Sequence, residues 1–504
     1  MTKVRLTIIA TLLTCALFAQ SQSPNVLFIP IDDLKPMLGC FGDENVKTPN
    51  IDRLAEKGTV FLNNSCQMAV CGPSRASLLT GMYPDHTKVW DLMTKMRDIN
   101  PDILSLPQYF KEQGYTTAGV GKTFDFRCVD NFKDMDKPSW SIPYIRVKAK
   151  QYANPEVAKE FNKAAKLVEG MTFKAGYERV RKIVELGGPK CRPSTECMDV
   201  PDETYADGTN ARAGIELLEQ LAKGQKPFFL SVGFAKPHLP FVAPKKYWDL
   251  YDSETIEITA FQQKSENGPN IAYKGMGELR QYSDIPKTPP LDAELQKKLI
   301  HGYMAATSYM DAQVGLVLDR LEELGIADNT IICLWGDHGF HLGDHGLWTK
   351  HTNFEQAVRS PMIIAAPKGF KAGKTNSPTE FVDIFPTLCE LAGLNVPAQL
   401  QGESLVSVMK DPKGSVRFAA LGQYSRHGPS MGYTLRSERY RYVKWLKMNY
   451  RKGETTGELI ATELYDYQKD PMEKVNVANH AEYKEVVKSF EAEFARRNVA
   501  QLGK

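Results

Sequence analysis

Short uninterrupted apolar runs alternate along this chain with longer stretches in which apolar residues recur every three or four positions. Asn25–Ile31, Thr116–Val120, Pro227–Val232, Thr330–Trp335 and Pro361–Ala366 are runs of the first kind. Each predicts a short strand buried on both faces. The second kind is clearest at 303–324, where Tyr303, Ala306, Met310, Val314, Val317, Leu321 and Leu324 share one helical face and Gly325 caps the end. Thr48-Pro49 predicts a helix start closed by Gly58, and Pro73–Leu79 a second helix ended by Gly81. Strands alternating with helices predict an α/β fold whose large, mostly parallel sheet lies between helices. After about residue 429 the pattern changes. Met431–Trp445 and Glu463–Tyr467 alternate aromatic and charged residues, as half-exposed antiparallel strands do, and 483–497 is an amphipathic helix. A smaller C-terminal α+β domain, 429–504, therefore follows a large one, 22–428. Residues 128–205 and 249–298 are polar, without clean strands, and read as surface insertions.

The N-terminus stands apart. Lys3 and Arg5 precede the apolar run Leu6–Phe18, followed by Ala19, Gln20 and Ser21. That order predicts a secretory signal peptide over 1–21 and export to the periplasm or the medium. The run is too short to span a bilayer comfortably, and no later segment is long and apolar enough. A net charge of +3 with no clustered basic surface gives no basis for nucleic-acid binding. Nine cysteines in 504 residues are too sparse to hold the fold by disulfides. Cys191 and Cys197 flank a proline-containing loop and are candidates to pair.

Polar residues stand just past several predicted strands: Asp32-Asp33, Lys122, His238 and Asp337-His338. In open parallel sheets this edge is where ligands bind. Asp32, Asp33 and Asp337 on neighbouring strands would repel one another unless a cation held them, and oxygen donors favour calcium or magnesium. His338 suits zinc better, and His338, His341, His345 and His351 form a local cluster without standard zinc spacing. Cys71 sits at a helix mouth that favours anions, with Arg75 one turn along. Cys191-Arg-Pro-Ser194 has a similar start, but Thr195 replaces the arginine and no strand–helix pattern surrounds it.

Cys71-Gly-Pro-Ser-Arg75-Ala-Ser-Leu-Leu-Thr-Gly81 resembles the signature of type I, formylglycine-dependent sulfatases of the alkaline phosphatase superfamily. Pro24–Asp33, Thr48–Ala55, Gly119–Lys122, Lys236-Pro-His-Leu-Pro240, Gly336–Gly339 and His341–Lys350 resemble further segments of that family, in the same order. Within it the likeness is to iduronate-2-sulfatase-like members, on Lys236–Pro240, Met431–Arg436 and Arg439–Val443. The resemblance implies an alkaline-phosphatase-like fold and oxidation of Cys71 to formylglycine (3-oxoalanine) by a formylglycine-generating or anaerobic sulfatase-maturing enzyme. It implies one Ca²⁺ held by Asp32, Asp33, Asp337, His338 and the oxygen at position 71. Arg75 would stabilise the hydrated aldehyde, Lys122 and Lys350 would neutralise sulfate oxygens, and His238 would protonate the leaving alcohol. One position departs from the family: Asp125 stands where a histidine is usual, and either serves as the base for sulfate release or pairs with Lys122. The expected substrate is a sulfated carbohydrate, such as ulvan, carrageenan or a uronate-containing glycan. A phosphodiesterase or phosphonate hydrolase of the same fold, and a non-catalytic glycan-binding homologue, are the alternatives. Arg426, His427, Arg436 and Arg439 are candidates to contact an acidic sugar, or else surface charge.

Overall fold

A computed structural model describes residues 23–497 apart from 132, 173–175, 274–276, 289, 368, 371, 427–428 and 453. The expected signal peptide and His427 lie outside the described residues. Seven strands form the main sheet: β1 (Asn25–Ile31), β2 (Thr59–Phe61), β3 (Thr116–Val120), β4 (Phe228–Val232), β5 (Thr330–Gly336), β6 (Met362–Ala365) and β7 (Gly373–Thr375). Their spatial order is β7-β2-β6-β5-β1-β4-β3. All run in one direction except β6, which is antiparallel to β2 and β5. The sheet is thus mixed and mostly parallel, as the apolar runs predict.

The unbroken apolar strands follow from cover on both faces. On β1, Val26 and Phe28 join one buried cluster, whereas Leu27, Ile29 and Ile31 join another. On β5, Ile331, Cys333 and Trp335 take the first side, Ile332 and Leu334 the second. The first face is covered by α1 (Cys71–Thr80) and the C-terminal region. The second is covered by α2 (Ala206–Ala222) and α3 (Ala293–Glu323). Burying one aliphatic side chain contributes about 1.5–3 kcal/mol, so a polar residue within these strands would cost several-fold more than one in the loops.

Three expectations are corrected. The helix expected at 303–324 begins at Ala293, capped by Asp292, whose carboxylate accepts from Leu295 N at 2.8 Å. Its first turns are polar, which hid them inside the supposed 249–298 insertion. The 128–205 segment carries two amphipathic helices, Pro155–Leu167 and Gly176–Gly187, and a strand, Thr195–Met198, parallel to Phe241–Pro244. Cys191 and Cys197 are both free: Cys191 is buried near Ala164 and Ile183, and Cys197 is exposed.

The C-terminal sheet is a four-stranded antiparallel meander, β8 (Ala420–Arg426), β9 (Ser430–Arg436), β10 (Tyr440–Asn449) and β11 (Glu454–Asp466). Its first strand precedes residue 429. A helix at Lys484–Arg496 packs Phe490 and Phe494 on Tyr442. Strand β9 is buried throughout rather than half-exposed: its Met431, Tyr433 and Leu435 belong to the same core as β1 and β5.

Candidate active site

The strand ends of β1 and β5 lie side by side, and Asp337 N donates to Ile31 O at 2.9 Å. This pairing brings Asp32-Asp33 against Asp337-His338. Asp33 N donates to Asp337 Oδ1 at 2.9 Å, and Tyr303 Oη to Asp33 O at 2.8 Å. Helix α1 opens onto the same point. Cys71 Sγ lies 3.4 Å from His338 Nε2 and 4.0 Å from Asp33 Oδ1. Arg75, fully buried one turn on, donates Nε to Asp337 Oδ2 at 2.9 Å and reaches Asp32 Oδ1 at 3.5 Å. It also donates to the carbonyls of Lys122 and Thr123.

Two lysines and a histidine approach from other loops. Lys122, just past β3, donates to Asp32 Oδ2 at 2.5 Å. Gly121 delivers it with φ +81°, where any side chain would run into the Gly233 carbonyl. Lys350 donates to both oxygens of Asp33 at 2.9 Å. His238 Nε2 stands 3.9 Å from Asp33 Oδ2, its Nδ1 donating to Leu239 O at 2.6 Å. The loop bearing His238 is braced by Lys236, whose ammonium donates to the carbonyls of His238 and Pro240, both at 2.7 Å. Asp33, Thr349 and His351 all have left-handed backbones, with φ of 59°, 76° and 73°. Such conformations cost of order 1–3 kcal/mol each and cluster at functional sites.

Electrostatics sort these groups. Burial alone would raise Asp32, but Lys122, His238 and Arg75 hold it well below the usual carboxylate range. Burial pushes Asp337 up, helped by the charge of Asp32. Burial likewise raises the Cys71 thiol, with Asp32 and Asp337 adding to it. An unmodified Cys71 is therefore a neutral thiol and a weak nucleophile.

Ligand atoms of Asp32, Asp33, Cys71 and His338 lie within 4.8 Å of one another, close enough for a single ion. His338 Nδ1 donates to Gly339 O at 2.9 Å, which turns Nε2 toward the cluster, the ring orientation a metal-bound imidazole requires. Asp337 stands beside this set with one oxygen on Arg75, 3.5 Å from His338 Nε2. The residues present fit a dication.

A sequence profile of the sulfatase family matches residues 24–394, most of the chain. The chain belongs to the sulfatase family. A second profile, that of the N-sulphoglucosamine sulphohydrolase C-terminal region, matches residues 343–500. Iduronate 2-sulfatase of Mus musculus is 33% identical over 526 residues, covering 91% of each chain. The structure of BT4656 in complex with its substrate D-glucosamine-2-N,6-O-disulfate superposes with a TM-score of 0.71 at 22% identity, over 96% of this chain and 100% of the other. A phosphonate monoester hydrolase of Agrobacterium radiobacter superposes at 0.70 and 24% identity, over 95% and 96% of the two chains. This protein is a type I sulfatase, a sulfuric ester hydrolase, on an alkaline-phosphatase-like fold.

In this sulfatase Cys71, Arg75, Lys122, His238, Lys350 and the four metal candidates converge on one point. The histidine cluster does not. His341 is buried against Thr352, and burial pushes its pKa down to about 3. His345 stacks on Phe354 at 4.2 Å. Only His338 joins the candidate metal ligands, so the zinc reading is set aside. The arginines proposed for sugar contact act as braces. Arg426 is buried and donates to the carbonyls of Ile271, Ala272 and His351. Arg436 pairs with Glu355 and Arg439 with Asp466.

Asp125 does not pair with Lys122 alone. Both its oxygens are taken by Arg127, at 2.8 and 2.6 Å, with Lys122 at 3.9 Å. Burial opposes the charge, but Arg127 and Lys122 bring the pKa down to about 2 from an ordinary 3.8. A depressed carboxylate stabilises the fold above its unfolded value, and that stability is lost as pH falls from about 4 towards 2. Asp125→Asn is therefore expected to lose about 2 kcal/mol near neutrality. Urea unfolding from pH 7 to 2.5 should show the gap to wild type closing as the pH falls; a constant gap would contradict the clamp.

Sequence reasoning missed Glu278. Its carboxylate meets His238, Lys350 and His351, yet it lies in a segment read as a surface insertion. Nothing local in that segment marks it.

Proposed function

We propose that this sulfatase is exported and hydrolyses sulfate esters of a carbohydrate, using a formylglycine made from Cys71 beside one calcium ion. The observation that carries the reading is the meeting of Cys71, Asp32, Asp33 and His338 at one point, with Lys122, Lys350 and His238 around it. Asp32, Asp33, Asp337, His338 and position 71 would hold the ion. An oxygen at position 71 in place of thiol sulfur makes that donor set harder, which favours calcium over zinc. The bound dication would supply neutralisation of charge beside the ester. The aldehyde hydrate would supply an oxygen nucleophile able to release sulfate and regenerate itself, which a simple alcohol lacks.

The chain's own groups do the rest. Lys122 and Lys350 draw the sulfate oxygens in and neutralise them as charge develops. Arg75 fixes Asp32 and Asp337 and carries the helix mouth towards them. His238 gives a proton from Nε2 to the departing alcohol. Asp125 is held as a charged clamp on Arg127, a poor proton acceptor at neutral pH. One relative is an iduronate 2-sulfatase and one structural neighbour holds D-glucosamine-2-N,6-O-disulfate as its substrate, which supports a sugar ester, and the Lys3–Phe18 pattern supports export.

The test is co-expression with a formylglycine-generating or anaerobic sulfatase-maturing enzyme. Peptide mass should show conversion of Cys71 to the aldehyde. Inorganic sulfate should then appear from a panel of sulfated oligosaccharides, stop on chelation, and return with calcium. Aldehyde-bearing protein that cleaves a phosphonate monoester and no sulfate ester would overturn the reading, and a cysteine left unconverted would favour glycan binding alone.

A further inference from the structure

Above the buried carboxylate cluster lies a partly open layer made of His238, Glu278 and His351, with side chains 24%, 19% and 16% exposed. Lys350 beneath them is only 2% exposed. On the functional reading above, in which His238 serves the leaving alcohol, the alcohol half of the ester would lie against this layer. Glu278 lies 3.2 Å from His238 Nε2, 3.0 Å from Lys350 Nζ and 3.1 Å from His351 Nε2. Burial would raise its pKa, yet Lys350, His238 and His351 hold it well below the usual range. The group is a carboxylate that cannot donate.

Its position is fixed by its neighbours. Glu278 precedes a short 3-10 turn, Leu279–Gln281. Leu279, Tyr282 and Ile285 are buried in one cluster with Phe241, Tyr303, Phe340 and Trp348. Arg192 lies over the Tyr282 ring at 4.1 Å. His351 is itself tied to Tyr424 Oη through Nδ1, at 2.8 Å. Lys350 Nζ lies 3.0 Å from both carboxylate oxygens, so with His238 on one and His351 on the other each oxygen has two contacts, and an incoming hydroxyl would have to share or displace one of them.

We propose that Glu278 selects the alcohol half of the ester. It accepts a hydrogen bond from a free hydroxyl next to the sulfated carbon, and it rejects esters that carry a second anionic group there. The argument rests on the functional reading above, since it is the role of His238 Nε2 that puts the ester oxygen beside Glu278. Two effects act in the same direction. A neighbouring hydroxyl donates to a carboxylate already desolvated, in exchange for one of its present contacts. A neighbouring sulfate or carboxylate meets a fixed negative charge at close range, where like charges cost several kcal/mol. The preferred substrates are thus sulfated sugars with a vicinal free hydroxyl, and a vicinally disulfated unit has to lose its other sulfate first.

Three probes test this: methyl α-glucopyranoside 2-sulfate, its 3-deoxy analogue and the 2,3-disulfate. Sulfate release is measured for wild type, Glu278→Gln and Glu278→Ala. Wild type should favour the monosulfate over the disulfate by about 10²-fold, and over the deoxy ester by about tenfold. Glu278→Gln should collapse the first ratio to within about tenfold, because the amide keeps the shape and loses the charge. A second arm measures equilibrium binding of the same sugars to Cys71→Ala and to Cys71→Ala/Glu278→Gln, where the same ratios should appear without turnover. Equal loss of rate on all three probes, with the ratios unchanged, would mean that Glu278 only steadies His238 and Lys350, and overturns the proposal. So would indifference of both binding proteins to the second sulfate, including binding of neither sugar. Failure of matured wild type to release sulfate from any ester defeats the functional reading instead, and the binding arm still decides Glu278.

Discussion

Cys71→Ser is expected to cut steady-state sulfate release by about 10⁴-fold or more, while leaving the fold intact. The site explains both halves. Position 71 is buried between His338 and Asp33, so exchange of sulfur for oxygen changes little volume. Thermal unfolding should therefore stay within about 1 kcal/mol of wild type. Chemically, the serine hydroxyl has one oxygen and no second hydroxyl to expel what it has accepted. A serine that attacked the sulfur atom would keep the sulfate as a stable ester, so at most one sulfate per chain could be processed. Matured wild type and Cys71→Ser, compared for sulfate release under multiple-turnover conditions, decide the matter. Multiple turnovers by the serine protein at an undiminished rate would remove position 71 from the chemistry.

The second large effect is selective. His238→Gln is expected to lower kcat/KM about 10³-fold on an alkyl sulfate such as a sugar ester, and within about tenfold on 4-nitrophenyl sulfate. An alkoxide is too basic to leave without a proton, whereas nitrophenolate leaves unaided. In the proposed mechanism His238 supplies that proton. Its Nδ1 is committed to Leu239 O, and Nε2 faces Asp33 and Glu278. The loop is held by the Lys236 ammonium, and Asp207 accepts from Ala235 N and Lys236 N at 2.8 and 2.7 Å. Glutamine keeps the polarity and cannot transfer the proton. An equal loss on both esters would instead assign His238 to sulfate binding.

Much of this was legible before any coordinates. The strands at Asn25–Ile31 and Thr330–Gly336 announce themselves as apolar runs because both faces are covered, and the polar residues that follow must then stand at the sheet edge. Cys71 and Arg75 one turn apart at a helix mouth are also a local matter, since one turn of α-helix sets their separation. These local rules place Asp32, Asp33, Lys122, Asp337 and His338 past strand ends and Cys71 with Arg75 at a helix mouth; Lys350, and the gathering of all of them into one site, come only from the family resemblance.

Other assignments depended on contacts between distant segments. Arg436 and Arg439 look like exposed charge in an alternating strand, yet Glu355 and Asp466 claim them. The four histidines look like one group, yet His338 turns toward Asp33 and Asp337, His351 toward Tyr424 and Glu278, and His341 and His345 pack on Thr352 and Phe354. Glu278 reaches Lys350 across 72 residues of chain, from a segment with no strand among its described residues. Periodicity within a segment tells which side of that segment is buried, and hence the sheet and its edge. It carries no information about which remote loop closes over that edge, and here that loop supplies Glu278, the carboxylate that meets His238, Lys350 and His351.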